Sequence, residues 1–404
     1  MKTTLTVLLS ALSLLAMAQP LIDDAMYLFP LTTNTSRNII KADFVNANRG
    51  CFLMSKGGCM ITQNGMLSFT LSNPSGDTST TYADVATVPG HWLVVTRTGK
   101  IYYSSNIGST WANVYSNDSI EFTGCDIRAG ELIAVGKNGR IIYGTGTSGN
   151  FTCTDFSVDS LSGVDFTSVR FGINNIQIGA SNGTTYQYNT GSGSVQAFPI
   201  APGEQISTIR LPGSGIGYMV TTGGKIFKTF DSGNIWNLSA NFPSYSWNAV
   251  DAGDSLVIAV GDSGFIAASL DSGNTFTVYD SGINNDFYGA RYNTGRGYVV
   301  GSNGTGLAFS LTDSTLGLKS LARMETCANC IYPNPVIHLA KIANPFGQVS
   351  CTLMLYDMSG REIIKKELSE INELISLDTL PAGQYLALFY RGKTVYSQQI
   401  NVSR

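Results

Sequence analysis

Short apolar runs alternate with polar turns along most of this chain. Residues 258–276 give the clearest example: an apolar run ends at a turn, 261–264, and a second apolar run ends at a polar corner. Apolar runs this short, bounded by glycine and asparagine, predict β-strands joined by hairpins. No stretch before residue 315 has the period of an amphipathic helix of useful length.

The same hairpin pattern recurs at regular intervals. The glycines of its turns are Gly58, Gly99, Gly139, Gly183, Gly224, Gly264 and Gly304, so successive copies are 40 to 44 residues apart. A near-constant period of this length is typical of a β-propeller with one four-stranded blade per copy. The pattern predicts an all-β chain with a seven-bladed β-propeller over residues 19–315. Residues 21–40 could supply a strand that closes the ring with the last blade.

The first residues have the pattern of a secretion signal. Lys2 precedes an apolar stretch, 5–15, which is followed by the small-residue sequence 16–18. We expect a signal peptide over residues 1–18 and a mature chain that begins at Gln19. No later stretch reaches transmembrane length.

Composition excludes some partners and leaves others open. Charged residues make up 13% of the chain and the net charge is −3. Because no basic patch stands out, we do not expect the chain to bind nucleic acid. Seven cysteines in an exported chain favour disulfides. Cys327 and Cys330 form a CxxC pair, for which a local disulfide or two free thiols are favoured over a zinc or redox site, and the pairing stays open.

Polar corners follow several of the hairpins, at 104–111, 229–236 and 269–276. Each contains an Asp or Asn that can accept hydrogen bonds from turn N–H groups, a Gly that permits the bend and an aromatic residue. The corners resemble the Asp-box, or BNR repeat, which is structural in the families that contain it. The matching positions are Asn106, Gly108, Trp111, Asp231, Gly233, Trp236, Asp271, Gly273 and Phe276.

Asp-boxes occur in sialidases, in some β-glucan-cleaving enzymes and in non-catalytic propellers similar to the photosystem II assembly factor. Residues 297–301, followed by a turn, look most like the last group, and this resemblance covers about residues 40–315. The Phe/Tyr-Arg-Ile-Pro motif of sialidases is absent, and the repeats contain only Glu121, Glu131 and Glu204 as glutamates. With two histidines in the chain, no Ser/His/Asp or histidine-rich metal site is expected.

A charged residue interrupts an apolar strand shortly before each turn glycine. The series is Asp43, Asp84, Asp126, Arg170, Arg210, Asp251 and Arg291. We expect these seven side chains, here called the ring residues, to lie on the innermost strands around the central channel. In one interpretation they are structural and pair between neighbouring blades as Asp126–Arg170, Arg210–Asp251, Asp251–Arg291 and Arg291–Asp43.

The other interpretation makes the ring residues a binding site at the mouth of the channel. Asp43, Asp84 and Asp126 lack alternating arginines, so three carboxylates could hold Ca²⁺ or act as acid and base. No cofactor is otherwise indicated, and the Ca²⁺ site rests on this run alone.

Residues 331–404 resemble the type A C-terminal sorting domain of the type IX (Por) secretion system. Three blocks, 332–335, 353–361 and 380–388, match in order and spacing. Alternation along these blocks independently predicts a small antiparallel β-sandwich. The positions that carry the motif are Pro333, Asn334, Pro335, Asp357, Gly360, Gly383 and Tyr385.

The resemblance implies export through the periplasm to the outer-membrane translocon of a Gram-negative bacterium. In the family the domain is usually cleaved, and the passenger is released or attached to surface lipopolysaccharide. We expect the cut in a linker, 316–330. The sequence therefore predicts a secreted or cell-surface propeller that binds a polysaccharide or protein ligand, with a surface glycoside hydrolase using Asp residues as the alternative.

Overall fold

The computed structural model describes residues 4–5, 19–22, 26–31, 33–65, 68–147, 149–173, 175–213, 215–253, 255–293, 295–311, 323–327, 329–357, 362–391 and 394–403. Within these ranges the regular elements are β-strands and three single-turn 3-10 helices, Asp159–Leu161, Asp262–Gly264 and Ser302–Gly304. The predicted all-β class is confirmed. No helix of the described residues is long and apolar enough to cross a membrane.

The chain divides into two compact units. Of the described residues, 4–5 and those from 31 to 309 make up the larger unit, and the others make up the smaller one. Three strands precede the first repeat: β1 (Thr4–Leu5), β2 (Gln19–Ile22) and β3 (Met26–Pro30).

The repeats fold into seven antiparallel sheets within the described residues, here called sheets 1 to 7. Sheets 1 to 3 contain β4 (Ile39–Asn46), β5 (Arg49–Met54), β6 (Cys59–Thr62) and β7 (Phe69–Ser72); β8 (Tyr82–Val88), β9 (His91–Thr96), β10 (Lys100–Ser104) and β11 (Ala112–Ser116); and β12 (Phe122–Arg128), β13 (Glu131–Gly136), β14 (Ile141–Thr147) and β15 (Asn150–Asp155).

The next four sheets repeat this order. They contain β16 (Phe166–Phe171), β17 (Ile176–Ala180), β18 (Thr184–Tyr188) and β19 (Val195–Pro199); β20 (Ile206–Gly213), β21 (Ile216–Thr221), β22 (Lys225–Thr229) and β23 (Asn237–Asn241); β24 (Trp247–Gly253), β25 (Leu256–Gly261), β26 (Phe265–Ser269) and β27 (Thr277–Asp280); and β28 (Phe287–Asn293), β29 (Arg296–Gly301) and β30 (Gly306–Leu311).

The first strands of the sheets form a closed circle. Each contacts the first strand of the next sheet in the order β4, β8, β12, β16, β20, β24 and β28, and β28 returns to β4. Apolar side chains fill the space between adjacent sheets; one such cluster includes Phe122 and Leu132 of sheet 3 and Leu93 of sheet 2. These side chains are fully buried, so burial between sheets holds the circle together.

Each first strand carries a β-bulge near its beginning. The register with the second strand shifts between Tyr82 and Asp84 in sheet 2, and equivalent shifts occur in the other six sheets. An extra residue at a bulge bends the strand and changes the direction in which the following side chains point. The seven bulges therefore set the direction of the ring residues, which come shortly after them.

The circle closes where the chain enters sheet 1 and leaves sheet 7. Leu31 donates its N–H to Gly306 O at 2.8 Å, and the buried Thr33 Oγ1 donates to Gly304 O at 2.6 Å. Residues before the first repeat thus supply the closing contacts.

The polar corners share one hydrogen-bond scheme. In the corner at 269–276, Asp271 accepts hydrogen bonds from the Ser269 hydroxyl and from the N–H and hydroxyl of Thr275. Asn106 and Asp231 accept equivalent bonds in their corners. Ile107, Ser232 and Ser272 adopt positive φ at the bend. These contacts are local, so the corners serve as connections within each sheet.

The smaller unit contains two sheets in its C-terminal part. One has the order β31 (Arg323–Thr326), β38 (Thr394–Val402), β37 (Gly383–Arg391), β34 (Cys351–Asp357) and β35 (Glu362–Leu368), and the other contains β32 (Ile331–Tyr332), β33 (Leu339–Ala343) and β36 (Asn372–Ser376). Leu353, Phe389 and Ile400 are fully buried in their shared core.

The motif positions of the sorting domain have structural roles. Asn334 accepts the Asn401 N–H at 2.7 Å and donates to Gln399 O, which fixes the segment 333–335 to β38. Tyr385 is buried and donates its hydroxyl to Pro381 O. Gly383 begins β37 and Asp357 ends β34, whereas Gly360 lies outside the described residues.

Part of the expected linker, 316–330, is folded. β31 pairs in parallel with β38, and Cys327 forms a disulfide with Cys330. The remaining cysteines, Cys51, Cys59, Cys125, Cys153 and Cys351, are free thiols.

We expect Thr33→Val to lower the free energy of unfolding by about 1–3 kcal/mol, because it leaves the buried Gly304 carbonyl without its donor. Urea denaturation of the full chain measures this. Thr78→Val, at an exposed position, is the control and should change little. Equal stability of Thr33→Val and the natural chain would contradict the role of Thr33 in closure.

We expect Asp271→Asn to flatten the loss of stability in acid. The hydroxyl and N–H of Thr275 hold the pKa of Asp271 well below its ordinary value of 3.8. A lowered carboxyl pKa contributes stability above about pH 4 that is lost as the pH falls. Unfolding measured from pH 5 to pH 2 should show a shallower slope in the variant, whereas parallel slopes would refute this.

Candidate functional site

All seven ring residues lie on the first strands of their sheets. A first strand pairs with the second strand of its own sheet on one side only. Its other edge faces the neighbouring first strand, so its N–H and C=O groups on that edge need partners from elsewhere. Ring residues and bulge residues supply these partners.

The carboxylates accept N–H groups from the next first strand. Asp251 accepts Tyr292 N–H at 2.7 Å, and Asp126 accepts Phe171 N–H at 2.8 Å. The contact from Thr87 N to Asp43, at 2.6 Å, repeats this scheme. Asp84 lies two residues earlier in its strand, directly after the bulge, and accepts Cys125 N–H at 3.1 Å.

Donor side chains bond the carbonyl groups in the same way. Arg291 Nη2 donates to Phe44 O on the next first strand at 3.0 Å. Hydroxyl groups at the bulges do the same, since Thr123 donates to Phe166 O and Thr208 donates to Asn248 O. Acidic side chains therefore accept N–H groups and basic side chains donate to C=O groups, while hydroxyl groups do either, since Ser168 accepts Ile209 N–H.

The arginines of sheets 5 and 7 share one carboxylate. Arg210 Nε lies 2.6 Å and Arg291 Nη1 lies 3.1 Å from the carboxylate of Asp251, which is 1% exposed. Arg291 Nε also lies 3.0 Å from Asp43 Oδ1, as an ion pair that is not aligned as a hydrogen bond. Three of the four pairs expected from the structural interpretation are therefore brought into contact.

The fourth expected pair, Asp126 with Arg170, is not an ion pair within the described residues. Arg170 Nη1 donates instead to the main-chain oxygens of Cys125, at 3.0 Å, and Val169, at 2.6 Å. Its Nε is buried without an acceptor. Arg170 is 7% exposed, so it is a buried cation whose described hydrogen bonds go to carbonyl groups.

Electrostatics follow burial and the neighbouring charges. Burial raises the pKa of Asp126, opposed by Arg170, and burial raises the pKa of Asp251, opposed by Arg210. For Arg170, burial would lower the pKa, but Asp126, Asp84 and Asp43 outweigh it and raise it. Arg170 therefore stays charged.

The three aspartates of sheets 1 to 3, Asp43, Asp84 and Asp126, each accept hydrogen bonds from main-chain N–H groups and do not form a cluster with one another. Asp84 accepts N–H groups from Val85 and Cys125 and lies 3.4 Å from Lys41 Nζ. No group of three or more His, Cys, Asp and Glu side chains that could hold a metal ion occurs in the described ranges. The three aspartates thus do not meet as one ligand set there.

A cavity of about 310 Å³ lies at the C-terminal ends of the first strands of sheets 2 to 5. Its charged lining consists of Asp43, Asp126, Arg128, Arg170, Arg210 and Arg291. A second cavity of about 10 Å³ lies on the other side of the ring and also contacts Asp43, Arg170, Arg210 and Arg291. The ring residues separate the two spaces.

The sequence did not indicate Arg128 or Phe171 as site residues. Arg128 stacks on the Phe171 ring, 4.5 Å from its centroid, and is held by Glu131. Both line the larger cavity. In the sequence, their position at the end of a predicted first strand is the one feature that could have indicated them.

The glutamates of the repeats are all held by cations. Glu121 contacts Arg97 and Lys137, Glu131 contacts Arg128, and Glu204 contacts Lys225.

Tyr143 donates its hydroxyl to Glu131. Burial and Glu131 raise the pKa of Tyr143 to about 12. The phenol therefore stays protonated at neutral pH, which is unsuited to a nucleophile.

Residues 330–403 match the model of the Por_Secre_tail family, described as a secretion system C-terminal sorting domain. This chain carries a secretion sorting tail. The tail implies that the chain is exported cargo of the type IX machinery, destined for the cell surface or the outside. None of the curated proteins matches the chain.

Solved structures similar to the rest of the chain are β-propellers. YCF48 bound to D1 peptide is 15% identical with a TM-score of 0.58, over 72% of this chain and 97% of that one. YCF48 from Cyanidioschyzon merolae is 16% identical with a TM-score of 0.59, over 70% and 98%. A catalytically inactive virginiamycin B lyase from Staphylococcus aureus with quinupristin is 14% identical with a TM-score of 0.60, over 71% and 100%.

These similarities establish the propeller fold of the larger unit. At such low identity they establish nothing about its ligand or activity.

We expect Asp251→Asn to lower the free energy of unfolding by about 3–5 kcal/mol, because it removes the charge that compensates Arg210 and Arg291. Urea denaturation measures the change. Asp118→Asn, at an exposed position, is the control. A cost below about 1 kcal/mol would show that Asp251 is not needed to hold the two arginines.

Proposed function

We propose that this chain is an exported, seven-bladed β-propeller that binds a ligand or partner at one end of its central channel and performs no catalysis itself. The closed circle of first strands supports the number of blades. The two C-terminal sheets, packed over one core, support a β-sandwich for the sorting tail. The polar corners with their shared hydrogen bonds support the Asp-box assignment.

The main support for ligand binding is the cavity of about 310 Å³. Sites for small molecules in proteins are concave and begin at about this volume. The cavity lies where the first strands end, and Gly172, in the connection that follows β16, also lines it; binding residues are common in such connections. Propellers of the same fold have been described with a D1 peptide and with quinupristin.

Partnered carboxylates favour binding over hydrolysis. A glycosidase needs two carboxyl groups about 5–10 Å apart, free to exchange protons with the substrate. Here Asp43, Asp84 and Asp126 each accept a main-chain N–H, and Asp43 and Asp84 also contact a cation. Each carboxylate therefore holds a neighbouring strand, and protonating it would weaken that contact.

One observation keeps hydrolysis as a second candidate. Asp43 and Asp126 line the same cavity, and burial raises the pKa of Asp126, as a general acid requires. Assays on acidic and neutral polysaccharides with the natural chain and Asp126→Asn decide between the two. Hydrolysis lost in the variant would replace the binding proposal.

The tail would direct export. The signal peptide would bring the chain to the periplasm, and the tail would engage the type IX translocon and then be removed. The passenger would be released or joined to surface lipopolysaccharide.

We expect a chain truncated after residue 311 to remain in the periplasm of a host that has the type IX machinery, while the full chain reaches the surface or the medium. Cell fractionation with antibodies to the propeller measures both. A full chain with Thr78→Val is the expression control. Export of the truncated chain at the normal level would refute the role of the tail.

A further inference from the structure

Arg170 differs from the other arginines that line the larger cavity. Arg128, Arg210 and Arg291 each have a carboxylate partner, from Glu131, Asp251 or both Asp43 and Asp251. Within the described residues Arg170 has no acidic partner at ion-pair distance. Its hydrogen bonds there are made by Nη1 alone, to two main-chain oxygens.

An arginine in this state has unused hydrogen-bonding capacity. A guanidinium carries five N–H donors in a planar fork that matches the two oxygens of a carboxylate. Arg170 is 7% exposed, and its Nε is buried without an acceptor. Asp126, Asp84 and Asp43 compensate its charge from beyond ion-pair distance, and an anion in the cavity would add the direct acceptor that the described residues do not provide.

The cavity places a second guanidinium beside the same space. Arg210 lines it too, and its described contact is made through Nε to Asp251. The terminal nitrogens of Arg210 are therefore available to an acceptor in the cavity. Two guanidinium groups from adjacent first strands, β16 and β20, can meet one small anion.

The rest of the lining restricts the chemistry of that anion. Asp43 and Asp126 contribute acceptor oxygens, which repel a second negative charge but accept hydrogen bonds from hydroxyl groups. Phe171 and Leu211 add apolar surface. A doubly charged phosphate suits this mixture less well than a singly charged carboxylate on a hydroxylated carbon skeleton.

We propose that this cavity binds the carboxylate of an acidic sugar, with Arg170 and Arg210 holding the carboxylate and Asp43 and Asp126 accepting its hydroxyl groups. The inference rests on the proposed function, in which the propeller binds at this end of its channel, and it names the class of ligand. The sugar could be free or a unit of an anionic polysaccharide, and both present the same group.

Calorimetric titration of the full chain tests this with D-glucuronate, D-glucose and inorganic phosphate. Glucuronate and glucose differ in the carboxylate that the arginines would hold. We expect glucuronate to bind with a dissociation constant of about 1 mM or tighter, as expected for a ligand of this size. Added salt should weaken its binding, and glucose and phosphate should bind at least 10-fold more weakly.

Two variants assign the contact to Arg170. Arg170→Gln removes the charge, and Arg170→Lys keeps a charge but loses the fork; each should weaken glucuronate binding at least 10-fold. Arg97→Gln is the control, since Arg97 is half-exposed and pairs only with Glu121 in the described contacts. Thermal unfolding of each variant shows whether the chain is folded, and Arg170→Lys serves as the test if Arg170→Gln is not.

Each outcome decides the proposal. No binding of glucuronate to the folded chain overturns it, as does equal binding of glucose or preference for phosphate. Binding of glucose or phosphate would leave the proposed function standing with another ligand, whereas binding of none of the three would count against this cavity as the site. If glucuronate binds, a polysaccharide that contains glucuronate is titrated next. Tighter binding of the polysaccharide indicates that the natural ligand is a polymer, and no binding of the polysaccharide indicates that it is the free acid.

Discussion

The unpaired inner edges of the first strands are the constraint on which the larger unit depends. Along the edge that faces the channel, neighbouring first strands contact without forming one continuous sheet, so the backbone groups on that edge have no partners from their own sheet. Buried backbone groups left without partners cost free energy comparable to a lost hydrogen bond. Side chains at the ring and bulge positions supply the missing partners from the adjacent strand.

This constraint explains why charges occur in an otherwise apolar place. A carboxylate such as Asp251 can accept an N–H group from the next strand and compensate two arginines at once. Arginines such as Arg291 reach both a carboxylate and a carbonyl group. Arg170 differs from these arginines, because its described hydrogen bonds go to carbonyl groups and no carboxylate of the described residues lies at ion-pair distance.

The features predicted correctly from the sequence are those that depend on its periodicity and on the charges at equivalent positions of the repeats. The turn glycines gave the number and order of the hairpins, and alternating charges gave the contacts of Asp251 with Arg210 and Arg291. The pairing of Asp126 with Arg170 does not occur as expected, because pairing by order along the chain ignores the carbonyl groups that compete for Arg170. The bulges, the stacking of Arg128 on Phe171 and the cavity depend on three-dimensional packing, which has no one-dimensional signal.

Amide hydrogen exchange at the inner edges tests this account most directly. The N–H groups of Thr87, Cys125, Phe171 and Tyr292 have carboxylate acceptors on the preceding strand. We expect these amides to exchange as slowly as amides paired within the sheets, because each is hydrogen-bonded in a buried or partly buried position. Rapid exchange at these positions in the folded chain would show that the ring residues do not hold the strands together.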